Sequence, residues 1–376
     1  MITYTFMNKN TELFDVVMDR GQAEDILNIR EENKHLLPVF LSPKRNMKMS
    51  RRDFNDWWSA RRIPASRTDI KELLWKLKDI GLNELAEKSL GLSLSDQYWI
   101  RPNKDITWKD VNFFSNEFSE DIGELLISGS WNSPDNTTDG VVKKKWKIID
   151  GERYLIKGSF STEGIYQPQP FREVFASKLA KLLLEPFKDS ENFVTPYHLI
   201  KEGDIVFSAC PNFITEGTEY VAFNQINHTY KRLNHISEFN FCREFYKENK
   251  HVLDLTLILD YILYNEDRHF GNFGIIRCAH TGEFLRPAPI FDTGACMFFD
   301  SMSIISGKIE SKPFSKSFEK QIKYVNTALY QDSIALVRKH YQDIFAEVFA
   351  TSLEDNLRKE RILEMTSMQI KKISTM

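Results

Sequence analysis

The sequence predicts an α+β protein in three parts: a small, mostly helical N-terminal module, a β-rich region and a helical C-terminal region. Three observations predict this class. Short runs rich in β-branched and aromatic residues, separated by turn residues, fill residues 124–160, and such runs are typical of strands. Residues 252–265 are apolar on nearly every face, and residues 334–349 carry an amphipathic stripe; both patterns are typical of helices. A chain of 376 residues is long enough for two ordinary domains or three small ones.

The composition is that of a globular protein, with 42% hydrophobic and 13% aromatic residues, and it excludes a disordered chain. The 50 Lys and Arg nearly balance the 53 Asp and Glu, so no global charge would attract nucleic acid or an anionic membrane. Four cysteines without a C-x-x-C pair indicate neither a zinc knuckle nor a disulfide framework. Because we find no signal peptide and no apolar stretch long enough to span a bilayer, we expect a soluble, cytoplasmic protein that does not bind membranes.

The first predicted domain spans residues 1–115, and the sequence identifies no role for it. Two short β-like runs, at residues 2–7 and 13–18, flank a polar turn and predict a hairpin. We expect a helix directly after this hairpin. Further helices are predicted over residues 51–62 and from Thr68 onward, where apolar residues recur at helical spacing.

The second predicted domain, residues 116–220, is rich in strands. Its predicted elements are strands at residues 124–130, 141–149 and 153–160, a helix at 171–184, and strands at 197–201 and 205–214. Asp150-Gly151 between two of these strands is a strong signal for a two-residue hairpin turn. The third predicted domain, residues 221–376, is helical, and its apolar helix at 252–265 is expected to be buried.

Three polar side chains in the third domain have the spacing of a phosphoryl-transfer site. Asp267 begins the sequence Asp-Arg-His-Phe-Gly-Asn, which ends at Asn272, and Asp292 follows in Phe-Asp-Thr-Gly twenty positions later. Phosphoryl transfer needs a carboxylate that accepts the proton of the attacking hydroxyl and oxygen ligands that hold Mg²⁺ against the phosphates. An aspartate and an asparagine five positions apart match the catalytic loop of protein kinases. We therefore expect Asp267 to be the catalytic base, and Asn272 and Asp292 to be the magnesium ligands.

The second domain offers residues that would bind ATP. Lys157 ends an apolar strand, where a kinase presents the lysine that contacts phosphate oxygens, and Glu173 on the next helix is its expected partner. The loop between the first two strands lacks the G-x-G-x-x-G pattern of kinases. Backbone amides near Asp139 and Gly140, with a following lysine such as Lys145 or either of the two before it, can still cover the phosphates.

The order of strands and helices around these residues predicts a bilobal protein-kinase-like fold, with residues 116–220 as its N-lobe and residues 221–376 as its C-lobe. Two motifs, Asp-Arg-His-x-x-Asn at residues 267–272 and Pro-Ala-Pro-Ile-Phe-Asp at residues 287–292, resemble those of the HipA-like serine/threonine kinases, which are bacterial toxin kinases and their CtkA-like relatives. The resemblance covers roughly residues 120–350.

The resemblance implies an ATP- and Mg²⁺-dependent kinase that transfers the γ-phosphoryl group to a Ser or Thr hydroxyl of a protein. It implies that Asp267 is the base, that Asn272 and Asp292 bind magnesium, and that the strand lysine, here Lys157, contacts ATP. Residues 1–115 do not resemble the N-terminal part of HipA, so an antitoxin-like regulator is left open.

The resemblance also implies a way to silence the enzyme, in which autophosphorylation of a serine expels the phosphate-binding loop. A phosphate group beside a bound triphosphate would repel it, because it adds a charge of about −1.5 to −2. The candidate hydroxyls in this chain are Ser130, Ser133, Thr137 and Thr138.

Other interpretations of the same residues stay open. Asp-Arg-His-x-x-Asn followed by an aspartate is also similar to the catalytic region of phosphoinositide kinases, although no membrane-binding segment accompanies it here. A kinase-fold binding module with weak or no catalysis is a third function. The simplest structural interpretation makes Asp267 one member of a salt-bridge cluster, and under every interpretation Arg268 and His269 are expected to support the loop.

Residues 44–67 contain eight Lys and Arg against two Asp, interleaved with Phe54, Trp57 and Trp58. A basic stretch with aromatic residues can bind nucleic acid or an acidic protein. The interpretation that we favour is a cationic helix whose tryptophans enter the hydrophobic core.

Overall fold

The structure, a computed structural model, describes residues 1–42, 49–61, 82–118, 144–159, 168–299 and 309–376. It divides into two compact units. The first comprises Met1–Ile156, Ile214–Lys231 and Ile276–Leu285, and the second comprises Lys157–Phe213, Arg232–Ile275 and Arg286–Met376. These limits differ from the predicted domains 1–115, 116–220 and 221–376, and that three-part division stays a prediction.

The described residues form strands and helices throughout. The strands are β1 (Ile2–Asn8), β2 (Thr11–Asp19), β3 (Gln22–Leu27), β4 (Tyr98–Arg101), β5 (Lys144–Ile149), β6 (Glu152–Lys157), β7 (His198–Glu202), β8 (Ile205–Pro211), β9 (Thr218–Ala222), β10 (Gly274–Cys278) and β11 (Phe284–Pro287). The α-helices are α1 (Arg51–Ser59), α2 (Leu82–Lys88), α3 (Trp108–Val111), α4 (Pro168–Leu184), α5 (Phe223–Thr229), α6 (Glu238–Phe245), α7 (His251–Leu263), α8 (Phe318–Gln321), α9 (Gln331–Val348) and α10 (Asn356–Ile373). Short 3-10 helices span Glu31–Leu36, Val39–Leu41, Ser190–Phe193, Lys247–Asn249, Ile322–Tyr324 and Thr327–Tyr330.

The N-terminal sheet of the first unit is antiparallel and has the strand order β3-β2-β1-β4. Its β1–β2 hairpin confirms the prediction. The expectation of a helix directly after this hairpin is wrong, because β3 pairs with β2 there. Arg20 and Gly21 join these two strands with φ angles of 47° and 78°, and two successive positive φ angles are typical of a tight hairpin turn. Residues 1–115 thus contain a sheet in addition to helices such as α1, which begins at Arg51 as predicted. The start of the helix predicted from Thr68 onward lies outside the described residues.

Helix α1 buries its aromatic side chains in the core of the first unit. Phe54, Trp57 and Trp58 are buried there. The ring of Phe6 in β1 lies 5.5 Å from that of Phe54 and 5.4 Å from that of Trp57, between centroids. This burial confirms the interpretation of the basic stretch as a helix whose tryptophans enter the core. Part of residues 44–67 lies outside the described residues, and nucleic-acid binding by this stretch stays a prediction.

The hairpin of β5 and β6 turns at Asp150 and Gly151, as predicted, with φ angles of 51° and 83°. Strand β6 then ends at Lys157. The strand expected at residues 124–130 lies outside the described residues. A further sheet, most of whose residues belong to the first unit, has the order β11-β10-β9 with β10 in its centre.

Helices dominate the second unit. Every residue of α7 from Val252 to Leu263 is buried, which confirms the prediction made from its apolar faces. Helix α4 packs against α7 and α9, and the ring of Phe175 in α4 meets that of Phe345 in α9 edge to face, with centroids 5.5 Å apart. Strands β7 and β8, which lie in the two segments predicted as strands, pair as an antiparallel hairpin. None of the described helices is both long enough and apolar enough to cross a membrane.

A buried ion pair lies between β9 and β10 of the first unit. Arg277 Nη1 is 2.7 Å from Glu219 Oε1, and the two residues are only 4% and 3% exposed. The same guanidinium donates hydrogen bonds to the carbonyl oxygens of Leu37 and Gly282, both at 2.8 Å. Burial raises the pKa of Glu219, and the Arg277 guanidinium opposes that rise. Removing either residue would therefore leave the other one buried without its charged partner.

Replacing Arg277 should destabilise this unit in a pH-dependent way. We expect Arg277→Met to lower the free energy of unfolding by about 3–5 kcal/mol near pH 8, because Glu219 is left buried without its cation. Without the cation, the folded-state pKa of Glu219 rises further above its unfolded value. A raised carboxyl pKa favours folding at low pH, and that stability is lost as the pH rises through the folded-state pKa. The loss measured by urea unfolding should therefore be smaller near pH 5.

A matched substitution at a solvent-exposed arginine provides the control. Arg338→Met in α9 removes an exposed side chain and should change the free energy of unfolding by less than about 0.5 kcal/mol. Equal losses in the two variants, or a loss in Arg277→Met that does not change with pH, would contradict the prediction.

Candidate active site

Three charged side chains that are distant in sequence meet in the second unit. Lys157 ends β6, Glu173 lies in α4, and Asp292 follows β11. Lys157 Nζ lies 2.6 Å from Glu173 Oε2 and 2.5 Å from Asp292 Oδ1. The expected pairing of Lys157 with Glu173 is present, and Asp292 joins it from 135 positions along the chain.

The environment of this network keeps the lysine charged. Lys157 and Glu173 are only 5% and 3% exposed, whereas the side chain of Asp292 is 29% exposed. Burial disfavours the ammonium, but the carboxylates of Asp292 and Glu173 outweigh it and raise the pKa of Lys157. The lysine is therefore a cation at neutral pH and can pair with phosphate oxygens.

Glu173 is fixed by a second contact with the chain around Asp292. Its Oε1 accepts a hydrogen bond from the backbone N–H of Thr293 at 2.8 Å. The next residue, Gly294, approaches the same carboxylate so closely that a Cβ atom there would lie 2.7 Å from Glu173 Oε2. Any other residue at this position would therefore force the Glu173 carboxylate to shift.

The loop after α7, residues 265–273, carries the expected base and one expected metal ligand; we call it the Asp267 loop. The backbone N–H of His269 donates to the carbonyl oxygen of Asp267 at 2.8 Å. Asn272 Nδ2 donates to the same oxygen at 2.9 Å. The amide nitrogen of Asn272 is thus used inside the loop, which leaves Oδ1 as the atom that could bind a cation. The side chain of Asp267 is 45% exposed.

Arg268 connects the Asp267 loop to the segment after β11. Its guanidinium is 1% exposed and forms a double hydrogen bond with the carboxylate of Asp260 in α7, at 3.0 and 3.1 Å. It also donates to the backbone oxygens of Asn272 and Phe291, at 3.0 and 2.7 Å, and to Thr293 Oγ1 at 2.9 Å. These contacts agree with the expectation that Arg268 supports the loop.

Two neighbours of the site were not predicted from the sequence. Lys312 Nζ donates to Asp267 Oδ1 at 2.9 Å. The centroid of the Tyr197 ring lies 5.5 Å from Lys157 Nζ, and its hydroxyl oxygen accepts from the backbone N–H of Asp292 at 3.4 Å. Neither residue stands in a motif, and single lysines and tyrosines are too common to indicate a site. The Lys312 contact is an ion pair of the general kind that the structural interpretation of Asp267 describes, although that interpretation named no partner.

The donor atoms present fit Mg²⁺, which prefers hard oxygen ligands. Asn272 offers Oδ1, and Asp292 offers the carboxylate oxygen that does not contact Lys157. Among the described residues, no group of three or more His, Cys, Asp or Glu side chains could hold a metal ion. A magnesium ion at these two residues would therefore need further oxygen ligands. Phosphate oxygens of ATP and water molecules would supply them.

The residues expected to cover the phosphates are only partly described. Asp139 and Gly140 lie outside the described residues, and Lys145 is half-buried in β5 of the first unit. The candidate hydroxyls for autophosphorylation also lie outside the described residues: Ser130, Ser133, Thr137 and Thr138.

The chain is similar to one curated kinase and to two solved structures. No family model matches the chain. Among curated proteins, the chain is 29% identical over 114 residues to the serine/threonine-protein kinase CtkA of Helicobacter pylori. This match covers 27% of the chain and spans about a third of the relative's length, 35%.

Two solved structures are similar to the chain. The crystal structure of the Helicobacter pylori proinflammatory kinase CtkA is 17% identical, with a TM-score of 0.44 over 62% of this chain and 90% of that one. A chain of the Shewanella oneidensis MR-1 toxin–antitoxin complex of HipA, HipB and operator DNA is 11% identical, with a TM-score of 0.55 over 99% of this chain and 97% of that one.

The second likeness extends over almost the whole chain, and at 11% identity it concerns the fold alone. The partial sequence match to the kinase CtkA is a second, separate similarity. The resemblance predicted from the motifs is confirmed, and the chain has the α+β fold of the HipA-like kinases.

Proposed function

We propose that this chain is an ATP- and Mg²⁺-dependent protein serine/threonine kinase of the HipA-like type. The observation that carries the proposal is the double attachment of Arg268, which bonds to backbone oxygens of both the Asp267 loop and the residue before Asp292. A kinase needs its base and its metal ligands to act on one triphosphate. A shared anchor for the two segments supports this function, since it keeps them at a fixed distance.

Each residue has one task in this proposal. ATP supplies the phosphoryl group, and Mg²⁺ neutralises the charge on its phosphates. Asn272 and Asp292 would hold the metal ion, and Lys157 would bind phosphate oxygens. When phosphates replace Asp292 beside the lysine, Glu173 would keep the ammonium in place, because it is buried and already hydrogen-bonded. Asp267, which is half-exposed, would accept the proton of the acceptor hydroxyl.

The acceptor in this proposal is a Ser or Thr hydroxyl of a protein, as the name of the matched CtkA indicates for that kinase. An antitoxin-like regulator is a further proposal, which draws on the solved complex of HipA with HipB. A gene for a small DNA-binding protein beside the gene for this chain would support it.

Removing either expected acid should abolish transfer while the fold survives. We expect Asp267→Asn to lower kcat by about 10²–10⁴-fold, because the acceptor loses its base. Asp292→Asn should lower it to a similar extent, because a metal ligand is lost. Labelling of a protein mixture with radioactive ATP measures the transfer, and thermal unfolding checks the fold.

The same assay includes a control variant and distinguishes the proposed function from the competing ones. Asp343→Asn, at an exposed position of α9, should label the mixture as the unsubstituted chain does. Undiminished labelling by both site variants would end the assignment. Vesicles containing phosphatidylinositol, offered in parallel, would identify a lipid kinase if they alone were labelled. Tight ATP binding without turnover would identify a binding module.

Loss of the lysine should weaken nucleotide binding itself. We expect Lys157→Met to raise the Kd for Mg-ATP by about 10–100-fold, since a hydrogen bond to a charged group contributes about 1.5–3 kcal/mol. Isothermal titration calorimetry measures the change. Lys178→Met removes a half-exposed lysine from α4 and should leave the Kd unchanged. An unchanged Kd in folded Lys157→Met would exclude the lysine from the phosphate site.

A further inference from the structure

Lys312 contacts the expected catalytic base from outside every motif of the sequence. Its Nζ lies 2.9 Å from Asp267 Oδ1, and the two side chains are 50% and 45% exposed. Exposed ion pairs usually contribute little, because both side chains are free to move. The importance of this pair therefore depends on whether the backbone around Lys312 is held in place.

The loop that carries Lys312, residues 311–317, is built around one buried side chain; we call it the Lys312 loop. Gln321 is 2% exposed. Its Oε1 accepts hydrogen bonds from the backbone N–H groups of Phe314 and Ser315, at 3.0 and 3.3 Å. Its Nε2 donates to the carbonyl oxygen of Lys312 at 2.7 Å. Three polar backbone groups of the loop are thus fixed by a side chain that cannot move into solvent.

The Lys312 loop also packs directly on the Asp267 loop. The ring of Phe314 meets those of Phe270 and Phe273 nearly edge to face, with centroids 5.8 and 6.1 Å apart. Both partners belong to the Asp267 loop, and aromatic pairs of this kind add to the stability gained by burial. The backbone of Lys312 is therefore held against the loop that carries its carboxylate partner.

The two oxygens of Asp267 have different surroundings. Oδ1 accepts from Lys312 at 2.9 Å. Among the described residues, the nearest basic atom that forms an ion pair with Oδ2 is His269 Nε2 at 3.9 Å, which is too far for a hydrogen bond. The contact with Lys312 therefore orients the carboxylate through Oδ1 and leaves Oδ2 for a proton from another group.

We propose that Lys312 is a positioning residue for phosphoryl transfer, which binds Oδ1 of Asp267 and so leaves Oδ2 to receive the acceptor's proton. The inference rests on the proposed function. In that step the acceptor oxygen forms a bond to the γ-phosphorus, and the bond from this phosphorus to the bridging oxygen of the leaving ADP breaks. The hydroxyl proton passes to Asp267, and Lys312 keeps its own proton throughout.

The test compares variants of Lys312 in the full chain with Mg-ATP and a protein acceptor. We expect Lys312→Met to lower kcat by about 10–100-fold, the size of effect that a misplaced catalytic group produces. The KM for ATP should stay unchanged, because the lost interaction orients the base and does not hold the nucleotide. Lys316→Met, in the same loop and exposed, should keep the kcat of the unsubstituted chain.

Chemical rescue separates positioning from a structural role. Lys312→Cys should be as slow as Lys312→Met, and alkylation with 2-bromoethylamine, which rebuilds an ammonium of nearly the same length, should restore most of kcat. The unsubstituted chain treated with the same reagent is the control. The melting temperatures of the variants should agree within error, since the ion pair is exposed and the loop is held by Gln321 and Phe314.

Three outcomes would overturn the inference. An active unsubstituted chain with an unchanged or raised kcat in Lys312→Met would remove Lys312 from the reaction and leave the proposed function intact. Failure of alkylation to restore kcat would show that the ammonium is not what the reaction needs. An unsubstituted chain that transfers no phosphoryl group to any acceptor would overturn the proposed function, and the role of Lys312 with it.

Discussion

The assembly of the candidate active site depends on one buried guanidinium, that of Arg268. Its partner Asp260 is fully buried in α7, so removing either charge would leave the other uncompensated in the protein interior. A guanidinium presents its donors in fixed directions, and those not used by Asp260 hold the carbonyl oxygens of Asn272 and Phe291. Two loops with different expected tasks are thereby fixed to the same helix.

The parts of the site that could be predicted are those whose chemistry depends on side chains at a characteristic spacing. Asp267 and Asn272 lie five positions apart, and Lys157 ends an apolar strand; both features are visible in the sequence. The partners of Arg268 include backbone carbonyls, which no residue type identifies, so its connecting role could not be derived. Lys312 reaches Asp267 because of how Gln321 and Phe314 hold its loop, and nothing in the sequence near either residue indicates this.

The strands at the two hairpins were predictable only where the turn residues are typical of hairpin turns. Asp150-Gly151 is a strong hairpin signal, and the structure has the expected turn. Arg20-Gly21 adopts the same pair of positive φ angles, but arginine is not a typical residue at that position, so the sequence predicts a helix where β3 lies. The buried helix α7 was predicted correctly because an apolar residue on every face leaves only the interior as its environment.

Gly294 limits which related sequences can share this arrangement. The carboxylate of Glu173 occupies the space in which a side chain at this position would begin, so the glutamate keeps its present position beside the lysine when the residue two positions after the aspartate has no side chain. With alanine or serine there, the carboxylate of Glu173 would have to shift, and its contacts with Lys157 and with the backbone N–H of Thr293 would change with it.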